Sequence, residues 1–408
     1  MSMNPSSLAP WVKSVPRGWT VKRLKYTVKL INEKVDPVES DLPYMGLENI
    51  ESWTGRRIQP QTEPQTAEGL SNYFRVNDVL FGKLRPYLAK VYRAEENGLC
   101  SGEMLVLRPN TLDPRFLTYL LLTRDFISAV DGSTYGSKMP RANWEFIGNQ
   151  PVAYPLLTEQ RLIADFLDRE TGKIDALIDE QHRMIERLNE MVASLALSSK
   201  TSSGTKEMRL ENAARIIKRP VAQREDELYT PIGLFNRGRG LFHKDTREID
   251  EMGDSDFFWI EESDLIISGQ FAWEGAVALA GPEDAGCVVS HRYPVLRGKL
   301  GTSRTEYLFA LLLTKHGDFL LNENSRGAAG RNRPLNINLL LKEKVPIPDM
   351  RTQEKVAQAV YWRNDLFSKM SKQEEVLKER RNALISSTVT GQINVRNYGP
   401  QEATAPCQ

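Results

Sequence analysis

Three cysteines and four histidines are spread over 408 residues, and neither set has the spacing that a zinc site or a disulfide framework needs. Cys100, Cys287 and Cys407 stand far apart in the chain, as do His182, His243, His291 and His316. No apolar run approaches the ~20 residues of a membrane span, and the opening MSMNPSSLAPWVKSVPRGW lacks the charged-then-apolar order of a signal peptide. The simplest expectation is a cytoplasmic protein with no membrane partner. One-sided charge is missing too, since 54 basic residues meet 53 acidic ones. Only residues 156–199 are lopsided, with five basic against nine acidic side chains, so that segment is not expected to touch a polyanion.

Catalytic motifs are equally scarce. There is no G-x-x-x-x-G-K-[ST] loop for a nucleoside triphosphate, and Gly238-Arg239-Gly240 lacks the third glycine of a dinucleotide loop. No G-x-S-x-G is found, and no E-x-K follows Pro348-Asp349 as it would in a nuclease. These absences favour a binding protein over an enzyme, with no metal and no cofactor expected in the chain itself.

What is present is a long internal repeat. Arg23–Val35 matches Arg209–Val221 at an offset of 186 residues, and Met45–Asn49 matches Ile232–Asn236 at 187. Leu120-Leu121-Leu122-Thr123 returns as Leu311-Leu312-Leu313-Thr314 at 191, and Val152, Pro155 and Gln160 return as Val345, Pro348 and Gln353 at 193. A period of this length marks a duplicated domain, and the drift in offset reflects loop insertions.

Each half ends in an extended, proline-containing stretch followed by a long helical pattern. Thr158 is the expected N-cap of the first helix, and Thr352 stands at the start of the second. Apolar residues recur at alternating steps of three and four through Ile163, Leu167, Ile174, Leu177, Met184, Leu188, Met191 and Leu195. Val356, Val360, Phe367, Met370, Leu377 and Leu384 repeat six of these, Ile163, Leu167, Ile174, Leu177, Met184 and Met191, at offset 193. A seam of this kind must be buried, and its nearest counterpart is the other copy. An intramolecular antiparallel coiled coil is therefore expected, with the halves related by a pseudo-twofold and Gln181 and Glu374 at matched polar positions. Thr158–Ser199, if continuous, would be a rod of roughly 63 Å.

The expected fold is α+β: two tandem mixed α/β domains separated by two long helices. The boundaries are residues 1–155 and 201–351 for the domains, 156–200 and 352–391 for the helices, and 392–408 for a flexible tail. Short strands are expected at Asp78–Phe81, Leu105–Leu107, Asp264–Ile267, Val288–Val289 and Pro294–Leu296, with helices at Pro114–Val130 and Thr305–Leu321.

Two kinds of segment stand out as candidate binding surfaces. One is a glycine-rich basic loop that recurs in each half, Asp131–Arg141 and Ser325–Arg333. Ser137, Lys138 and Arg141 in the first and Arg326, Arg331, Asn332 and Arg333 in the second carry donors suited to phosphates or base edges. The other is Lys83–Lys90, with Lys83, Arg85, Tyr87 and Lys90, whose counterpart Gln270–Glu274 is not basic. Arg56-Arg57 and the Arg237 and Arg239 pair are further basic spots.

Read in order, Val15-Pro16-Arg17-Gly18-Trp19, Arg23-Leu24, Asp78-Val79-Leu80 and Pro155–Gln160 entering a long helix resemble the specificity subunit of type I restriction-modification systems. The second half departs from that pattern: it lacks the Pro-x-Gly-Trp opening, and Gln353-Glu354 exchanges the order of Glu159-Gln160. The resemblance implies a non-catalytic reader of double-stranded DNA. Each mixed domain would be a target-recognition domain for half of a split site, while the helices set the gap and dock two methyltransferase subunits. Those partners would bind S-adenosylmethionine and flip the target adenine, and a motor nuclease subunit would join for cleavage. The rival readings are a coiled-coil scaffold for protein partners, which has no need of paired basic glycine loops, and a two-domain enzyme without a known motif.

Overall fold

The computed structural model describes residues 15–37, 40–58, 69–136, 139–199, 204–222, 227–253, 255–327 and 333–395. It is α+β and forms two compact units, Met1–Ala176 with Glu375–Gln408, and Leu177–Glu374. Each unit contains one mixed domain and a portion of both long helices, Leu157–Ser199 and Met350–Val389. No helix among the described residues is long and apolar enough to cross a membrane.

Both domains are built on the same frame. An antiparallel ribbon pairs Thr20–Arg23 with Pro151–Tyr154, and its counterpart pairs Lys206–Arg209 with Lys344–Ile347; Arg23 faces Pro151 as Arg209 faces Lys344. Next is a four-stranded antiparallel sheet in the order Val28–Ile31, Met104–Pro109, Val79–Gly82, Val91–Arg93. The second domain repeats it as Ala214–Ile217, Val295–Gly298, Leu265–Ile267, Val277–Leu279. The apolar runs at Val79–Phe81 and Leu265–Ile267 occupy central strands covered on both faces. Successive side chains alternate between layers: Val79 and Phe81 join one core and Leu80 another, as do Leu265 and Ile267 against Ile266.

Beyond this sheet the halves differ. The first domain adds a second four-stranded sheet of Lys34–Val35, Ser71–Phe74, Gly98–Cys100 and Tyr44–Met45, the last pairing parallel to Gly98–Cys100. Among the described residues the second has three separate two-stranded ribbons there, one of them Phe257–Trp259 with Val288–Ser290.

Buried charges sit at matched points. Asp78 is 1 % exposed and takes Arg108 Nε and Nη2 at 2.7 Å each, while its Oδ2 also accepts the Arg75 amide. Asp264, fully buried, takes Arg219 at 2.7 Å and Arg297 at 2.6 Å, and accepts the Glu261 amide. The aspartates that open the expected strands Asp78–Phe81 and Asp264–Ile267 thus anchor the central strand of each sheet.

The helix expected over Pro114–Val130 is two helices, Pro114–Leu121 and Arg124–Asp131, and Thr305–Leu321 likewise divides into Thr305–Leu312 and Lys315–Glu323. The shared Leu-Leu-Leu-Thr marks the break. Thr123 and Thr314 turn their hydroxyls back onto the carbonyls of Leu120 and Leu311, and Thr314 also caps the next helix through the Gly317 amide.

Each long helix is tied to its domain by a buried glutamine. Gln160 Oε1 accepts the Asp113 amide at 2.7 Å while Nε2 donates to the Pro155 carbonyl at 2.9 Å. Gln353 accepts the Arg304 amide at 2.8 Å and donates to the carbonyls of Pro348 and Thr302. The helices begin at Leu157 and Met350, ahead of the expected caps. In the second, Asp349 accepts the Thr352 amide at 3.0 Å and the Thr352 hydroxyl at 2.9 Å, so the acid beside Pro348 is a helix cap. Those bonds hold the Asp349 carboxyl below its usual range.

Within each unit the helix segments run antiparallel. In the first, Ile163 and Leu167 share a core with Ile385 and Val389, and Asp175 pairs with Arg381 at 2.8 Å. In the second, Val192 and Ala196 share a core with Val356 and Val360, Gln181 donates to Gln373 at 2.9 Å, and His182 meets Glu374 at 3.0 Å.

The expected seam is only partly buried. Ile163, Leu167, Ile174, Val356, Val360 and Leu377 are buried, and Phe367, Met370 and Leu384 are half-buried. Leu177, Met184 and Met191 are exposed, and Ile185, Leu188, Val192 and Ala196 are buried in their neighbourhood. A helix of 3.6 residues per turn drifts from a 3.5-residue stripe by ~20° per heptad, so the inward face moves across the sequence pattern. The beginning of the expected tail is packed as well: Val395 is buried and Ile393 lies against the first core. Residues 396–408 lie outside the described part.

Candidate nucleic-acid interface

In each domain, segments that lie far apart in sequence meet beside the central sheet. In the first, Lys83 accepts the Ala142 amide on its carbonyl at 3.0 Å and Arg85 donates its own amide to Pro140 at 2.8 Å, which joins Lys83–Lys90 to the glycine-rich loop. Tyr135 and Arg141 close that loop by exchanging main-chain bonds of 3.3 and 3.1 Å. Arg85 and Ala89 flank the short 3-10 helix Pro86–Leu88 and are both left-handed, with φ of 51° and 45°. Residues with a Cβ avoid this region, so the turn is held in shape by its surroundings. Tyr87, Tyr135 and Met139 are exposed around it.

The second domain joins the equivalent pieces. Gly269 accepts the Leu335 amide at 2.8 Å, and the guanidinium of Arg333 lies 5.1 Å above the ring of Trp273. Arg333 is also fixed by the Ser325 carbonyl at 3.2 Å and by Asn322 Oδ1 at 2.7 Å. A third segment completes this site: Arg237 and Gly238 donate their amides to the carbonyls of Glu274 and Gly275 at 3.1 and 2.9 Å. Arg239 lies over the exposed ring of Phe235 at 5.7 Å. An arginine plane held on an aromatic ring keeps its hydrogen-bonding edge available and costs little ordering on binding.

The candidates do not all fare alike. Arg85, Arg237 and Arg326 are exposed, and Arg326 bonds Glu323 at 2.8 Å as an ordinary surface pair. Lys83 is half-buried at the edge of the first site. Arg141 is engaged by Glu103 at 3.1 and 3.2 Å, and this bond raises its pKa. Lys90 corrects the expectation most clearly. Its Nζ donates to the carbonyls of Leu47 and Ile50 at 2.8 Å each, and burial pushes its pKa down, so it braces the domain from within. Ser137, Lys138, Arg331 and Asn332 lie outside the described residues.

Sequence reading missed one basic surface. Lys244, Arg247 and Arg292 line a cleft with Phe257 and Ser290 in the second domain, close to the frame because the Arg292 carbonyl takes the Gly269 amide at 2.7 Å. Lys244 and Arg247 stand close together but Arg292 comes from a distant segment, and the three belong to no repeated motif, so no local signal marks the cleft. Among the described residues no group of three or more His, Cys, Asp or Glu is placed to hold a metal ion.

The family described as Type I restriction modification DNA specificity domain has a model that matches residues 16–188. The chain is 24 % identical over 201 residues to the type I restriction enzyme EcoDI specificity subunit of Escherichia coli, a match covering 49 % of this chain and 45 % of that protein. It therefore spans just under half the length of that relative. It is 20 % identical to the type I restriction enzyme MjaVIII specificity subunit of Methanocaldococcus jannaschii over 94 % of this chain and 95 % of the other. Among solved structures, the HsdS subunit from Thermoanaerobacter tengcongensis superposes with a TM-score of 0.42 at 19 % identity, covering 95 % of this chain and all of that one. A type I system S subunit from M. genitalium gives 0.43 at 15 % identity over 92 % and 96 %. Residues 16–188, less than half of the chain, are thus similar to the type I restriction modification DNA specificity domain.

Proposed function

We propose that this chain is the DNA-reading subunit of a type I restriction-modification complex, with each mixed domain reading one half of a bipartite target. The observation that carries this reading is a common frame dressed with different side chains. Where the first domain has Lys83, Arg85 and Tyr87, the second has Gln270, Phe271 and Trp273, with Arg333 on the Trp273 ring. Two surfaces of unlike chemistry on one scaffold suit two unlike half-sites, and arginine, lysine and aromatic groups are what base edges and phosphates call for. The paired helices would set the gap between half-sites, about one helical turn of DNA centre to centre, and dock two methyltransferase subunits. S-adenosylmethionine would be held by those subunits, and a motor nuclease subunit would add cleavage. In this reading the chain contributes recognition and its partners contribute the chemistry.

Methylation-site mapping in cells that express the chain with its methyltransferase partner tests the proposal. One bipartite motif with a constant gap is the expected result. Scattered or continuous motifs would remove the basis for two half-site readers. Replacing Arg333 with Ala should weaken discrimination at one half-site by about 1–3 kcal/mol, or roughly fivefold to 150-fold, and leave the other half-site intact. A protein-binding scaffold would show no such one-sided change.

A further inference from the structure

We infer that Arg381 and Arg363, both on the second long helix, are positioning residues that latch a turn of each reading surface through its main-chain carbonyls. The inference deepens the DNA-reading proposal and rests on it.

In the first unit Arg381 is almost fully buried. Its Nε donates to Asp175 Oδ1 at 2.8 Å, and Nη1 and Nη2 donate to the carbonyls of Trp53 and Thr54 at 2.9 Å each. In the second unit Arg363 is likewise buried. Nε donates to Asn189 Oδ1 at 2.9 Å and Nη2 to the Gly238 carbonyl, while Asn189 Nδ2 donates to the Arg237 carbonyl at 3.0 Å. Both latches therefore combine an arginine of the second helix, an Asp or Asn of the first, and two consecutive carbonyls of one turn.

Both gripped turns begin on a left-handed residue that is not glycine. Trp53 has a φ of 69° and Gly55 of 78°; Arg237 has 57°, Gly238 62° and Gly240 94°. Two of these are non-glycine residues in the left-handed region, which an unsupported loop would leave. The Trp53 carbonyl faces Arg381 and the Arg237 carbonyl faces Asn189, while the amides of both face the proposed reading surface. Trp53 donates to Ala89 at 3.2 Å, at the end of Lys83–Lys90, and Arg237 donates to Glu274, beside Trp273. A continuous hydrogen-bonded path thus runs from helix arginine to turn to reading segment in both units.

The second latch is the less ordinary one, because no carboxylate bonds its arginine. Arg363 lies between the rings of Phe309 and Phe367 at 5.4 and 5.1 Å, and burial lowers its pKa to about 10, which leaves it cationic at neutral pH. Only a planar fork can reach Asn189, Asn364 and the Gly238 carbonyl together, so lysine is no substitute. A side chain at Gly240 would strike Phe367 and one at Gly238 would strike Leu313, so the turn packs closely enough to require glycine at both positions. Phe367, expected in the helix seam, serves this turn instead.

The test uses the chain assembled with its methyltransferase subunits and reads methylation of duplexes altered in one half-site at a time. Arg363→Lys should lower discrimination at one half-site about tenfold or more, and Arg381→Lys at the other, with the gap length unchanged. Asn189→Ala keeps Arg363 in place and should reproduce the one-sided effect of Arg363→Lys, which covers the case of an arginine variant that fails to fold. Thermal melting of each variant complex separates lost folding from lost reading. Wild-type discrimination at both half-sites in Arg363→Lys and Asn189→Ala, or an equal loss at both, overturns the latch. Absence of any bipartite pattern with the unaltered chain overturns the DNA-reading proposal, and the latch falls with it.

Discussion

Asp264 has no solvent exposure yet carries a charge, and the Arg219 and Arg297 side chains that neutralise it come from positions 45 and 33 residues away. Asp264→Ala should destabilise the second domain by about 3–5 kcal/mol, because two part-buried guanidinium groups lose their partner; urea unfolding measures it. Cys100 offers a chemical check on the first domain. Burial pushes its thiol up to about 12, so almost no thiolate exists at pH 8 and alkylation of the native chain should be far slower than after unfolding. Mass spectrometry of the labelled protein gives the ratio. At this scale the sequence was least informative. Lys90 sits in a basic, aromatic stretch yet spends its charge on internal carbonyls, while Arg363 sits in a polar helix and is buried between two rings. A charged residue looks the same in sequence whether its partner is solvent, DNA or a carbonyl across the fold.

Elements were more legible. The central strands at Val79–Gly82 and Leu265–Ile267 and their neighbours at Met104–Pro109 and Val295–Gly298 follow from short apolar runs, and the long helices from their three-four spacing, whereas the outer strands and the matched ribbons were not marked. Their exact ends were decided by side chains that a pattern does not weigh, such as Asp349 at the second helix and the threonines that split the shorter ones. The tie from helix to domain is also an element-scale device. Gln160→Ala and Gln353→Ala should each cost about 1–3 kcal/mol, since a buried amide and carbonyls lose the side chain that bonds them at the junction. Equal effects in the two variants, read by thermal or chemical unfolding, are expected from their matched bonds. Adding or removing whole helical turns near Ser194–Gly204 should change the gap of the methylated motif and spare both half-sites; altered half-sites would remove the spacer role.

For the whole molecule, the near-balance of 54 basic and 53 acidic residues bears directly on binding. Affinity for DNA rises with the number of phosphates neutralised, so the isolated chain should bind a duplex weakly and lose that binding steeply as salt is raised. A gel shift at nanomolar concentration that resists salt would contradict it; tight binding is expected only with the partner subunits. The duplication, the order of elements in each half and the α+β class were determined by the sequence alone, because hydrophobic periodicity and repeat spacing are local and survive low identity. Which charged side chains stand exposed, brace a domain from within or grip the carbonyls of a distant turn was decided only by tertiary structure. Arg381 reaches Trp53 across 328 residues of chain, and no local pattern encodes a meeting at that distance.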